Sequence, residues 1–202
     1  GYSCRCSAPL GRGLGAAIVH PAHVNLTNVH SQAQGRVLSA TAQLPADDAV
    51  QPTNLAAVYS PQGGTNPIHA ASAHFRRIEA EVSEAVLALV DSSREAGRPL
   101  IVGADANAIS TVLDTWSTHA APRESSTLCK ALRAGLCDTF RLLHPDTRAA
   151  THYSTSGTGA SRLDYILSSA PMSFAPVGAA IHVGAVWPFD RLTVWPFGRL
   201  AV

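Results

Sequence analysis

The chain predicts one layered α/β domain, and three observations carry that expectation. At 202 residues, 46% hydrophobic and 14% charged, it holds enough apolar side chain to build a core and too little charge to stay disordered. Short apolar runs bounded by Gly, Pro, Asn and Ser recur along it, which is the pattern of buried strands. Between them lies one segment, residues 71–96, whose apolar residues return every third or fourth position, which is the pattern of a helix.

Gly11-Arg12-Gly13 leads into the apolar run Leu14–Val19, read as a buried strand behind turn-forming glycines. A stretch rich in Asn and His follows and is read as a hairpin-like connection to the next strand, Gly35–Ala42. Asn54–Tyr59 predicts a third strand, which Ser60-Pro61-Gln62-Gly63-Gly64 breaks, leaving Tyr59 at its end. In the long helix Phe75, Ile78, Val82, Ala85, Val86, Leu89 and Val90 share a face, with Arg76, Arg77, Glu79, Glu81 and Glu84 opposite; Gly97 stops it, and Pro99 prevents its continuation. Residues 100–103 predict a strand, Ser126–Ala134 a shorter helix ended by Gly135, and Leu136–Leu143 a run into the turn His144-Pro145-Asp146. Strands are expected at Ala150–Tyr153, Arg162–Ser168 and Val177–Val183. Trp187-Pro188-Phe189-Asp190-Arg191-Leu192 is nearly repeated at Trp195–Leu200, too short a unit for a repeat architecture.

A formal charge of +1 sets up no global field and does not choose a partner. Cys4, Cys6, Cys129 and Cys137 lack the paired spacing of a zinc site and read as free thiols in a reducing compartment. Apolar stretches fall far short of the ~20 residues of a membrane span, and the N-terminus lacks a secretory h-region. The expectation is therefore an intracellular protein, nuclear or cytoplasmic, without a membrane partner. Opening on Gly1 rather than Met reads as a piece of something longer.

Two segments carry the functional signal. Leu100–Asn107 puts Asp105 and Asn107 two apart where a strand hands over to a loop, so they share a face if the strand continues. Ser161-Arg162-Leu163-Asp164-Tyr165 puts a second carboxylate inside a strand-like run, where an ion pair with Arg162 or Arg141 competes with a catalytic role. An Asp-x-Asn after a strand also serves as a turn or cap. Asp138 and Arg141 read as a structural pair, and His20, His23 and His30 as exposed loop histidines without a fourth ligand.

In order and spacing, Val58-Tyr59-Ser60-Pro61, Gly103-Ala104-Asp105-Ala106-Asn107 and Ser161–Tyr165 together resemble the endonuclease/exonuclease/phosphatase superfamily. Leu136–Arg141 with His144-Pro145, and Thr151 ahead of the last box, resemble most its retrotransposon-type endonuclease domains. The resemblance spans residues 11–192 and implies a DNase I-like layered α/β sandwich, two packed sheets flanked by helices, incomplete at the N-terminus. It implies a metal-dependent phosphodiester hydrolase using Mg²⁺ or Mn²⁺ on nucleic acid, most of all DNA, as a monomer or part of a larger polyprotein.

By the same resemblance Asp105 orients or deprotonates the attacking water, Asn107 donates to the phosphate or positions that water, and Tyr59 donates to a phosphoryl oxygen. Asp164 accepts from a catalytic imidazole and holds its tautomer. Arg162, Thr151 and Arg191 are candidates to bind phosphate or substrate, with Arg162 equally a clamp on backbone, and Asp190 is the candidate to hold the metal. The chain departs from the family pattern twice. Phe189-Asp190-Arg191 stands where the family closes on Ser-Asp-His, and the strands carrying an Asn and a metal-binding Glu belong ahead of Gly11, where ten residues remain. An inactive remnant that still binds nucleic acid, and a phosphatase acting on inositol or lipid phosphates, are the competing expectations.

Overall fold

The computed structural model describes residues 1–7, 15–43, 51–61, 72–117, 121–154 and 159–169. Its centre is a six-stranded mixed sheet built from β3 (Asn25–Gln32), β4 (Val37–Gln43), β5 (Thr53–Tyr59), β6 (Leu100–Asp105), β7 (Leu136–Asp138) and β10 (Asp164–Ser169), in the order β3-β4-β5-β6-β10-β7. Only β5 and β6 run parallel, as their connection through the crossover helix α1 (Ala73–Glu95) requires. A hairpin-like pair, β1 (Tyr2–Cys6) and β2 (Ala17–Pro21), and a short ribbon, β8 (His152–Tyr153) and β9 (Ala160–Ser161), complete the strands.

Strand parity divides the side chains between two faces. On one, Val58, Leu100, Val102, Tyr165 and Leu167 pack with Ile78, Val82 and Val86 of α1 and with Leu128 of α2 (Thr127–Arg133). On the other, Leu38 and Ala40, with Leu55 and Ala57 beside them, meet Ala16 and Ile18 from the β1–β2 pair. The layered α/β arrangement is as expected, with the hairpin-like pair as the described layer on the second face.

Helix α1 follows its apolar stripe. Ser72 caps it, accepting from the Phe75 N–H at 3.1 Å, and Gly97 leaves it at φ +61°, where a residue without Cβ fits. The cap contributes about 1 kcal/mol. Each fully buried valine of the stripe contributes roughly 1.5–3 kcal/mol, so packing rather than capping holds the helix.

Several elements differ from the sequence expectation. The Asn- and His-rich stretch is the strand β3, not a connection. It lies at the sheet edge with a register shift between Thr27 and His30, and an edge strand exposed along most of its length needs no alternating apolar pattern. His20 is buried on β2 and His30 lies on β3, so of the three histidines only His23 is an exposed turn residue. Leu136–Leu143 divides into β7 and α3 (Thr139–Leu143), because the Asp138 carboxylate accepts from the Arg141 N–H and starts a helix there. The strand expected at 177–183 and the Trp-Pro-Phe hexamers lie outside the described residues.

Candidate active site

The register of four strands assembles the site. Val37 faces Val58 across β4 and β5, so Arg36 comes opposite Tyr59, whose N–H donates to the Arg36 carbonyl at 2.8 Å. Tyr59 is in turn the register partner of Asp105, and Asp105 the partner of Asp164. Tyr59, Asp105 and Asp164 therefore form one row across β5, β6 and β10, on the face opposite Ala104 and Tyr165, at the rim where β5 and β6 end and β10 begins, while Arg36 stands in the turn just ahead of β4 beside Tyr59. Adjacent strands lie about 4.8 Å apart, so the two carboxylates are near neighbours.

The loops beyond this rim are tied together. The Ser60 N–H donates to the Asp105 carbonyl at 2.9 Å, and the Ala106 N–H to the Leu163 carbonyl at 2.8 Å. Asn107 does not extend the strand. It sits at φ +46°, a left-handed conformation that asparagine tolerates, and its Nδ2 donates to the Ser60 carbonyl at 2.8 Å. The strand-face relation expected between Asp105 and Asn107 fails for that reason, yet the amide bond keeps Asn107 at the same rim.

Two residues expected to touch phosphate hold backbone and core instead. The Thr151 hydroxyl accepts from the N–H groups of Leu163 and Asp164 at 3.0 and 3.2 Å, so it cradles the strand start that presents Asp164. Arg162 is 1% exposed. Its Nε donates to Asp114 at 2.9 Å, its Nη1 to Asp138 at 3.1 Å and its Nη2 also to Asp138, so its guanidinium belongs to the interior and not to a phosphate site. Arg141 is likewise committed, its Nη2 donating to Asp114 at 2.7 Å. The guanidiniums weighed as partners of Asp164 are thus engaged by Asp114 and Asp138, and the side-chain pairing expected between Asp138 and Arg141 is replaced by this crossed arrangement. Asp190 and Arg191 lie outside the described residues.

Sequence reasoning missed Asp114 and Arg36. Asp114 has no exposed side-chain surface and also accepts from the Ser110 hydroxyl at 2.7 Å and from the Tyr165 hydroxyl at 3.3 Å. Burial alone pushes its carboxyl up, but the hydrogen bonds from Arg162 and Ser110, the Arg162 charge and the hydrogen bond from Arg141 hold it down at about 2. Burial, followed by the Asp114 charge, pushes the Tyr165 hydroxyl far above its ordinary range, so it stays protonated. The available signal was Thr111-Val112-Leu113-Asp114, a capping box that the structure forms. Arg36 gave no local signal. Its guanidinium lies 4.9 Å from the centre of the Tyr59 ring, and its buried Nη1 finds no acceptor among the described residues. Both residues line a cleft of about 300 Å³ with Pro61, Ser72, His74 and Phe75, a lining that holds no carboxylate.

Among the described residues no group of three or more His, Cys, Asp or Glu side chains is placed to hold a metal. The acidic pair of the rim, Asp105 and Asp164, is still the donor set suited to a hard divalent cation that keeps most of its water.

Comparison with known proteins places the fold. The family model described as the endonuclease/exonuclease/phosphatase family matches residues 10–194. A 3′ phosphatase from Neisseria, solved with its product DNA hairpin, is similar at 22% identity and a TM-score of 0.60, over 84% of this chain and 67% of that one. An AP endonuclease from Archaeoglobus fulgidus is similar at 20% identity and a TM-score of 0.59, over 85% and 68%. A mannosyl-6-phosphatase from Bacteroides thetaiotaomicron is similar at 14% identity and a TM-score of 0.53, over 85% and 64%. A search of the curated proteins finds no match. With a DNase I-like fold and a family model that covers most of its length, the chain belongs to the endonuclease/exonuclease/phosphatase family.

Proposed function

We propose that this chain is a divalent-metal-dependent phosphodiester hydrolase acting on DNA, of the retroelement endonuclease type. The observation that carries the reading is the rim row Tyr59–Asp105–Asp164, which sets a phenol and two carboxylates side by side on three strands, with the Arg36 guanidinium against the Tyr59 ring. Hydrolysis of a phosphodiester needs a base for water, donors for the phosphoryl oxygens and charge to offset the leaving oxygen. Asp105 takes the first task as orienting or general base for the attacking water. Tyr59 donates to a phosphoryl oxygen, and Arg36, stacked on its ring with a buried N–H unspent, holds the phenol in place and brings positive charge to the phosphate. Asn107 fixes the loop that carries the water site, and Thr151 fixes the strand start that carries Asp164.

Asp105 and Asp164 suit Mg²⁺ or Mn²⁺, which when bound neutralises charge on the phosphoryl and leaving oxygens. A Neisseria relative of the same fold is bound to DNA, which supports DNA as the partner. The Ser-Arg-Leu-Asp-Tyr box and the Thr151 cradle support the retroelement type.

The purified chain with Mg²⁺ is expected to nick supercoiled plasmid. Asp105→Ala lowers that rate by roughly 10²–10⁴-fold, the share of a positioned base; an unchanged rate removes Asp105 from this role. A second reading, a nucleic-acid-binding remnant without turnover, is favoured by Phe189-Asp190-Arg191 standing where the family closes on Ser-Asp-His. It predicts DNA binding that weakens steeply with salt and no cleavage under the same conditions.

A further inference from the structure

We propose that Cys4 and Cys6 are a redox-active dithiol that closes to an intrastrand disulfide by exchange with a low-molecular-weight disulfide such as oxidised glutathione. They stand two apart on β1, so both side chains leave the same face of the strand. Their sulfur atoms lie 3.3 Å apart, and both residues are exposed. Across the ladder they face Val19 and Ala17, neither of which offers a hydrogen bond to a thiol, and Val19 at 64% exposure leaves this face open to solvent. Cys129 and Cys137 differ on each count, being half-buried on α2 and β7 with no sulfur partner among the described residues.

The hydrogen bond to Cys6, then burial, pushes the Cys4 thiol up. The thiolate of one of the two cysteines attacks one sulfur of the oxidant, forming a mixed disulfide and expelling one glutathione thiolate, which takes up a proton. The other cysteine then loses its proton and attacks the protein sulfur of that mixed disulfide; the protein S–S bond forms and the second glutathione leaves. The protein has lost two electrons and two protons, and one oxidised glutathione has become two reduced molecules.

Closure brings the sulfurs from contact to bonding distance, about 2 Å, which gathers the backbone of β1. That strand has β2 as its ladder partner and stands outside the six-stranded sheet, so it can pucker without repacking the sheet. Ser7, next after Cys6, carries the movement inward: its hydroxyl donates to the Gly35 carbonyl at 2.6 Å and accepts from the Ala16 N–H at 2.8 Å. This inference stands whether or not the chain hydrolyses phosphodiesters.

The test incubates the full chain with oxidised glutathione and reads intact mass and peptide maps. Wild type is expected to lose the mass of two hydrogens, with the bond mapped to the Cys4–Cys6 peptide and reversed by dithiothreitol, and with faster amide exchange at Ala16 in the oxidised form. Cys4→Ser and Cys6→Ser, both exposed and tolerant of the change, each retain one glutathione on the remaining cysteine, because the resolving sulfur is gone. Wild type that keeps glutathione on Cys4 or Cys6 without closing, forms a disulfide between chains, oxidises only at Cys129 or Cys137, or does not react overturns the proposal.

Discussion

Asp114 is tolerated without solvent because donors reach both of its carboxylate oxygens: Arg162 and Arg141 on one, Ser110, Thr111 and Tyr165 on the other. Removing its charge takes one carboxylate from two guanidiniums, Arg162, which keeps Asp138, and Arg141, which keeps backbone carbonyls. Asp114→Asn, which keeps the shape, is expected to cost about 3–5 kcal/mol, read as a lower urea midpoint. Because Arg162 lies two residues before Asp164, the same change loosens the strand start that completes the rim. None of this pairing was visible in the sequence. Asp105 and Asp164 were legible because each sits at the end of an apolar run within a familiar spacing, whereas Asp114 and Arg162 are 48 positions apart and their attraction exists only after folding. For the same reason Arg162, read from its place in a box as a clamp on backbone or phosphate, belongs to the core beside Asp114 and Asp138.

At the scale of elements, legibility followed periodicity. Helix α1 and strands β4, β5 and β6 were readable because each buries a repeating stripe or alternation against the core. Strand β3 was not, since an edge strand with mostly exposed side chains keeps no apolar rhythm. The turn that ends β6 shows what one residue contributes to an element. Asn107 holds a left-handed backbone and stitches that loop to the loop after β5. Asn107→Ala is expected to lose about 1–2 kcal/mol, from the disfavoured backbone and the missing hydrogen bond. Asn107→Gly, which regains the backbone freedom, stays closer to wild type in thermal unfolding. Both variants are expected to nick plasmid more slowly, so a Gly variant that matches wild type in rate would leave Asn107 a purely structural residue.

The whole molecule registers these local charges as a dependence of stability on pH. The folded-state carboxyl of Asp114, at about 2, lies below the ~3.9 of an unfolded aspartate. Its contribution, about 2 kcal/mol, is therefore complete above the unfolded value and is lost as pH falls through the folded one. Glu79 acts in the opposite sense. Burial raises its carboxyl, against the attraction of Arg123 and Lys130, so acidification first relieves the cost of keeping it ionised. Thermal midpoints measured from neutral pH downward are expected to fall steeply only below about pH 4, and Asp114→Asn is expected to flatten that acid limb.

Strand β10, the last described element in the chain, does not lie at a sheet edge but between β6 and β7. As the polypeptide leaves the ribosome, α1, the β4–β5–β6 ladder and β7 are all synthesised before the strand that joins β7 to the β6 edge. A nascent chain halted ahead of Asp164 thus owns its long helix and most of its sheet while lacking one of the two rim carboxylates. The rim pair is therefore among the last features of the described sheet to come together.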